Sequence, residues 1–429
     1  MIEFSSTRDT VAFLARRAGW GLAPGELDVL ETLGVEGTIG RLVDPSAAGI
    51  AEEESTWAGL DTSYDRDDKA ADRARTYEAF QRWMSRLIET ERPLDHQLAW
   101  FWHDHFAVSM QVVRHLPSML AHLDRCWSLG RGDFAALIRE ITTDAAMLVF
   151  LDGATSTGTA PNENYGRELL ELYTIGVNNF TEDDVRAAAV ALTGWTVRAR
   201  AGWEVRYVPS RHDDRDQVLL GAEGVHDVDT VVAAATGHAS CPVFIAAKLS
   251  RYFLGDVDNQ TVFALADTFA ASGLDIATLA QATLRAGAAG TATPTVLAPL
   301  PWLTHAAKAT GTTLEPRTAI TQLRAMGQFP ANPPNVGGYP GAATWLASSA
   351  TAGRFSAANS IARATPDDSA ALLAARNRAW DELADLLARP AGFSSATISA
   401  LRELPDSASR RPGEAALGLA LASPDLLIA

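Results

Sequence analysis

Apolar residues recur at helical spacing along most of the chain, punctuated by Gly, Pro, Asn and Asp where helices start and stop. The pattern predicts a helix over Ser5–Arg17 ended by Gly19 and Gly21, and a second over Gly25–Leu33 opened by Pro24. Residues 45–75 are rich in Asp, Glu, Ala and Ser, and read as an acidic surface segment. From Arg75 the period returns through Phe80, Trp83, Met84 and Leu87, breaks at Pro93, and resumes over Asp95–Phe106. Further helices are predicted over Phe134–Met147, over Glu163–Ile175 with Asn162 as cap, and from Thr181 to about Leu192. Thr181 and Asp184 have capping-box spacing.

After Gly194 the period shortens to two. Trp195–Arg198 and Trp203–Val208, around Ala201-Gly202, read as strands, with Gln217–Leu220 a third. Helical patterning then resumes at Asp227–Ala235, Val243–Tyr252, Gln260–Gly287 and from Asp367 onward, interrupted by a Pro/Gly loop at residues 328–341. The expected fold is predominantly α: a single helical domain over residues 1–429 with a small β-ribbon around residues 195–221.

Composition narrows the function. With 47% hydrophobic and 21% charged residues the chain has material for a packed core. A net charge of −16 repels phosphate backbones, which argues against nucleic-acid binding. Cys126 and Cys241 lie 115 residues apart, which excludes a disulfide scaffold or an all-cysteine metal site. No basic leader precedes a long apolar run, and no stretch of 18 apolar residues occurs; the expectation is a cytoplasmic protein without a membrane span.

Three polar segments can carry chemistry. The first is Trp102-His103-Asp104-His105. Residues two apart on a helix point about 200° apart, so His103 and His105 do not share one regular face. In Trp/Phe-rich surroundings the default for such a residue is a hydrogen-bonded core histidine, with a metal ligand as the sharper alternative. The second is Asn162-Glu163-Asn164-Tyr165-Gly166-Arg167-Glu168, continued by Glu171. Asn164, Glu168 and Glu171 fall on one helical face, and Arg167 has ion-pair spacing to Glu171. Such a face suits a divalent ion or an acid/base pair, and it also describes an exposed charged stripe. The third is His212-Asp213 beside the ribbon, which offers an imidazole and a carboxylate together or forms a solvated turn. HExxH, GxSxG, Walker and GxGxxG patterns are absent, so no nucleotide cofactor is expected.

The run PNENYGRELLELYTIGV followed by FTEDDVRAAAVALTGW resembles the signature of the bacterial family catalogued as domain of unknown function 1800. LARRAGWG, LAWFWHDHFAVS, RHDDRDQVLLG, NPPNVGGYPGAATWL and LALASPDLL resemble further family segments in order, over about residues 10–429. Asp104 departs from the family's asparagine, and Tyr339 from its tryptophan. His96 stands where the family has a charged Glu or Lys, and is left out of the candidate site. The resemblance implies frequent export and a neighbouring sulfatase-like or phosphatase-like protein, but no reaction.

The leading expectation is a metal-dependent hydrolase acting on a small-molecule or polymer substrate. His103, His105, Glu168, Glu171, His212 and Asp213 would hold Zn, Mn or Fe. Arg167 would stabilise anionic charge and Glu163 act as general acid or base, with Asn162, Asn164, Tyr165 and Asp104 completing the polar cluster. Asp104 is expected to favour the protonated form of His103, or a metal. A non-haem iron oxidoreductase on the same ligands and a non-catalytic scaffold with a structural polar network are the alternatives.

Overall fold

A computed structural model describes residues 1–65, 67–198, 202–404 and 411–429. The N-terminal helices are α1 (Thr7–Ala18), α2 (Glu26–Val43), α3 (Lys69–Glu89), α4 (Pro93–His105), α5 (Met110–Val113), α6 (Leu116–Ser128), α7 (Phe134–Thr142) and α8 (Ala145–Phe150). Then come α9 (Glu163–Glu168), continued by a π-turn over Leu169–Thr174, and α10 (Glu182–Ala191). Two antiparallel hairpins follow, β1 (Trp195–Arg198) with β2 (Glu204–Tyr207) and β3 (Gln217–Leu219) with β4 (Ala222–Val225). Next are α11 (Val228–Gly237), α12 (Ser240–Leu254), α13 (Asn259–Ala271), α14 (Ile276–Ala286) and α15 (Pro299–Thr310). The last are α16 (Pro316–Ala325), α17 (Ala342–Trp345), α18 (Ser348–Ala364), α19 (Ala370–Arg376), α20 (Trp380–Leu386), α21 (Ser395–Glu403), α22 (Pro412–Ala422) and α23 (Pro424–Leu427). The fold is predominantly α.

Short polar side chains set the boundaries. The Thr181–Asp184 capping box forms at the start of α10. Asp144 divides the helix expected over Phe134–Met147, because its carboxylate accepts the N–H groups of Ala146 and Met147 and restarts the chain as α8. Asp275 likewise restarts α14 and divides the block expected over Gln260–Gly287. The helix expected to stop at Leu33 continues to Val43 across a break at Gly34, whose φ is 70°. In the ribbon Trp195 pairs with Tyr207 and Arg198 with Glu204. Ala201 in its expected turn lies outside the described residues. Gln217–Leu219 does not join that ribbon but pairs with β4 in a hairpin of its own.

Two apolar cores lie side by side. The first is built mainly by α1, α4, α6–α8 and α10–α14, and the second by α3, α15, α16 and α18–α22. Helix α4 serves both: Leu98, Phe101 and Trp102 enter the first core and Trp100 the second. The acidic stretch before α3 is not a free surface segment. Leu60 is buried with Ala79, Leu116 and Leu120, and Trp57 packs on that group. Among the described residues no single helix is long and apolar enough to cross a membrane.

Candidate functional site

The last turn of α4 aims three consecutive polar side chains at three different neighbours. His105 and Lys248 of α12 meet the π-turn that follows α9. A π-turn leaves its final carbonyls without helical partners. Lys248 Nζ donates to Leu172 O (3.0 Å), and the Nε2–H of His105 donates to Tyr173 O (3.0 Å). Lys248 also donates to His105 Nδ1 at 3.1 Å, which requires a neutral ring protonated at Nε2. Burial, then the charge of Lys248, lowers the His105 pKa well below the ordinary histidine value. Burial brings Lys248 itself down to about 8.

Asp104 turns toward the Pro/Gly loop. Its Oδ1 accepts the Tyr339 N–H at 2.6 Å, and a side chain at Gly338, where φ is 92°, would collide with that carboxylate. Burial pushes Asp104 up to about 6. The tethered Tyr339 stacks on Trp100 at 5.3 Å and meets His103 edge-on at 6.2 Å.

His103 is fully buried, and neither ring nitrogen has a hydrogen-bond partner. It lines a cavity of about 30 Å³ together with Trp57, Trp83, Trp100, Trp127 and Asp124. His96 completes the wall, stacked on Trp127 at 6.1 Å and donating from Nε2 to Glu53 at 2.8 Å. The Ser55 hydroxyl donates to Asp124 at 2.6 Å. Four chain segments therefore converge here, from residues 53–57, α3, α4 and α6. An open groove of about 760 Å³ adjoins the cavity at Thr56 and runs over Glu53, Gln81, Ser85 and Arg86.

Behind His103 stands a second buried histidine, without a hydrogen bond between the two. The His122 and His103 rings are 6.1 Å apart, and His122 Nδ1–H donates to Asp144 Oδ2 at 3.1 Å. Asp144 also accepts from Arg125 at 2.9 Å and caps α8. Cys126 Sγ lies 4.0 Å from His122 Nε2. Burial opposes the charged form of His122, but the Cys126 sulfur and the Asp144 carboxylate overcome it and raise the ring to about 10. Burial, then the His122 charge, lowers His103 to about 3. The expectation that Asp104 would favour protonated His103 is overturned, since that carboxylate is occupied by the loop and His103 faces a cation instead.

The remaining candidate residues lie elsewhere. Asn162 caps α9 by accepting from Asn164 N at 2.9 Å, and its amide donates to Leu151 O at 3.1 Å. Glu163 and the Asn164 side chain are exposed. Arg167 does not pair with Glu171; it forms a bidentate pair with Glu182 at 2.8 and 2.6 Å. The π-turn shifts Glu171 out of α-helical phase with Asn164. Burial and the charge of Glu171 raise the pKa of Glu168. Tyr165 is buried with its hydroxyl beside Thr142, on a 10 Å³ cavity shared with Asn162 and Trp195. His212 donates from Nδ1 to Thr193 O at 3.0 Å, and Asp213 is held by Arg215. The Asn162 and His212 segments are joined through the loop at 151–161, where Asn162 N donates to Ser156 Oγ and Gly158 N to Arg211 O. No described hydrogen bond or ion pair connects the side chains of residues 103–105 to those of residues 162–171 or 211–213. Among the described residues no group of three or more His, Cys, Asp or Glu is arranged to hold a metal ion.

Sequence reasoning did not find the tryptophan walls, Asp124, His122 or Lys248, and set His96 aside. The one signal was the helical spacing of Trp83 with Met84 and Leu87, which reads as ordinary core.

A family model described as "Protein of unknown function (DUF1800)" matches residues 13–428. No curated protein and no solved structure matches the chain.

Proposed function

The chain belongs to the DUF1800 family, whose function is unknown, and from that premise we propose, on its own side chains, that it is a hydrolase centred on His103. The observation that carries this reading is the His103 imidazole, fully buried and unpartnered on both nitrogens, at the wall of a cavity beside an open groove. Leaving a buried polar group unpaired costs about 1–3 kcal/mol, so a fold that keeps one there supports a ligand as its partner. The cavity that His103 helps to wall is large enough for a water, and a small turn of the ring would bring one of its nitrogens to it.

The ring is unprotonated at neutral pH and a weak base, so it takes a proton from an attacking water only as the anion developing beside it raises its basicity. The protonated His122 behind it supplies fixed positive charge for the anion that develops in the cavity. Asp144 and Arg125 hold His122 in place from the far side. Asp124 places a carboxylate on the same cavity, where it can accept a hydrogen bond from substrate.

The test is a panel of p-nitrophenyl esters, phosphates and glycosides, run with wild type and His103→Gln. Turnover of one class above buffer is expected, with kcat about 10²- to 10⁴-fold lower in the variant at unchanged folding. No turnover of any class would overturn the hydrolase reading. Dialysis against a chelator is expected to leave the rate unchanged. Loss on chelation with recovery on Zn, Mn or Fe would replace this centre by a metal-dependent one.

A further inference from the structure

The His103 cavity also specifies a kind of ligand, an inference that rests on the proposed function only in placing the substrate at this site. Trp57, Trp83, Trp100 and Trp127 surround a space of about 30 Å³, and their indole N–H groups make no hydrogen bond among the described residues. Flat rings with electron-rich faces attract weakly positive C–H groups, here on the faces not already stacked on Tyr339 or His96. The polar groups between them are of mixed character. A neutral imidazole offers one donor and one acceptor, and Asp124 offers acceptors beyond the one used by Ser55. Hydroxyl groups satisfy both at once.

Charge selects further. A cation entering the cavity meets the protonated His122 ring behind His103, while the arginines of the groove are already paired, Arg86 with Glu53 and Arg82 with Glu78. An anion meets Asp124, with Glu53 behind His96. A neutral ligand avoids both penalties. Size sets the last condition. The cavity holds one hydroxymethyl group or a pair of hydroxyls, whereas the adjoining 760 Å³ groove is open and lined by Glu, Gln, Ser, Thr and Arg side chains. A ligand that fits both is elongated, with hydroxyls along its length.

We infer that the tryptophan-walled cavity and the groove beyond Thr56 form a binding site for a neutral oligosaccharide, with a terminal hydroxymethyl or hydroxyl pair seated against His103.

Binding can be followed by calorimetry and by tryptophan emission on the full chain, using cellopentaose, maltopentaose and chitopentaose acetylated on nitrogen as neutral probes. Tetramethylammonium and benzoate serve as charged controls. Saturable binding of at least one neutral probe at or below about 10 mM is expected, weakened about ten-fold or more by Trp127→Ala and by Asp124→Asn at unchanged far-UV circular dichroism. Asp124→Asn removes charge without removing volume, so the test stands even if Trp127→Ala folds poorly. Absence of binding by all three neutral probes, tighter binding of a charged control, or affinity unmoved by Asp124→Asn would overturn the inference. The two proposals fail separately: saccharide binding without any hydrolysis sinks the hydrolase alone, and His103-dependent hydrolysis of a non-saccharide substrate sinks the saccharide alone.

Discussion

His103 and His122 are neighbours whose surroundings drive their titration in opposite directions. His122, raised to about 10, contributes stability in full below its ordinary value of 6.5 and loses it as pH climbs toward 10. His103, lowered to about 3, contributes above 6.5 and loses it as pH falls. Denaturant unfolding of wild type and His122→Asn is therefore expected to show a stability gap that narrows steadily from pH 6.5 to about 10. A gap independent of pH over that range would mean the ring is not held as a cation. The alternation of directions at residues 103–105 was legible in the sequence, because a helix fixes it. What each side chain would meet was not, because Tyr339, Lys248 and His122 arrive from segments 235, 143 and 19 residues away.

At the level of elements, the sequence shows where helices begin more readily than how they pack. Thr181 and Asp184 announce α10 by a local bond that needs no tertiary partner. The π-turn after α9 has no such local signature. It forms where Lys248 and His105, far along the chain, accept the burden of the freed carbonyls. The helix face expected to align Asn164, Glu168 and Glu171 presumes a regular period that this turn interrupts. Gly166 marks the closest approach of α9 to α10: a methyl group there would sit 3.0 Å from Val185 O and 3.1 Å from Ala189 N. Gly166→Ala is expected to destabilise the protein by about 1–3 kcal/mol, measured by denaturant unfolding, despite alanine's better helix propensity. A neutral or stabilising result would show that the two helices can part without loss.

Across the whole molecule the two cores meet at α4, and Tyr252 of α12 packs against both. Trp100 is 3% exposed in the second core, while Phe101 and Trp102 beside it fill the first. Thermal unfolding followed by circular dichroism and by tryptophan emission is expected to give one coincident transition. Trp100→Ala should lower its midpoint, at a cost of about 3–5 kcal/mol, without splitting it. Two separated transitions would show that the cores melt independently. The predominantly α character was readable from period alone. The role of residues 53–60 was not, since in a run of Glu, Ser and Thr only Trp57 and Leu60 betray an inward face.

Helix α4 has almost no outside. Ten of its thirteen residues are buried, and between them they face two cores, the tryptophan cavity, the Pro/Gly loop and the π-turn. An ordinary surface helix drifts over generations along its wet side, where replacements go unnoticed. This one offers no such margin, so neutral change in the protein must be absorbed by the helices around it. In a saturation library the stretch from Leu94 to His105 should stand out as a trough of tolerated substitutions, deepest where a residue answers to more than one neighbour at once.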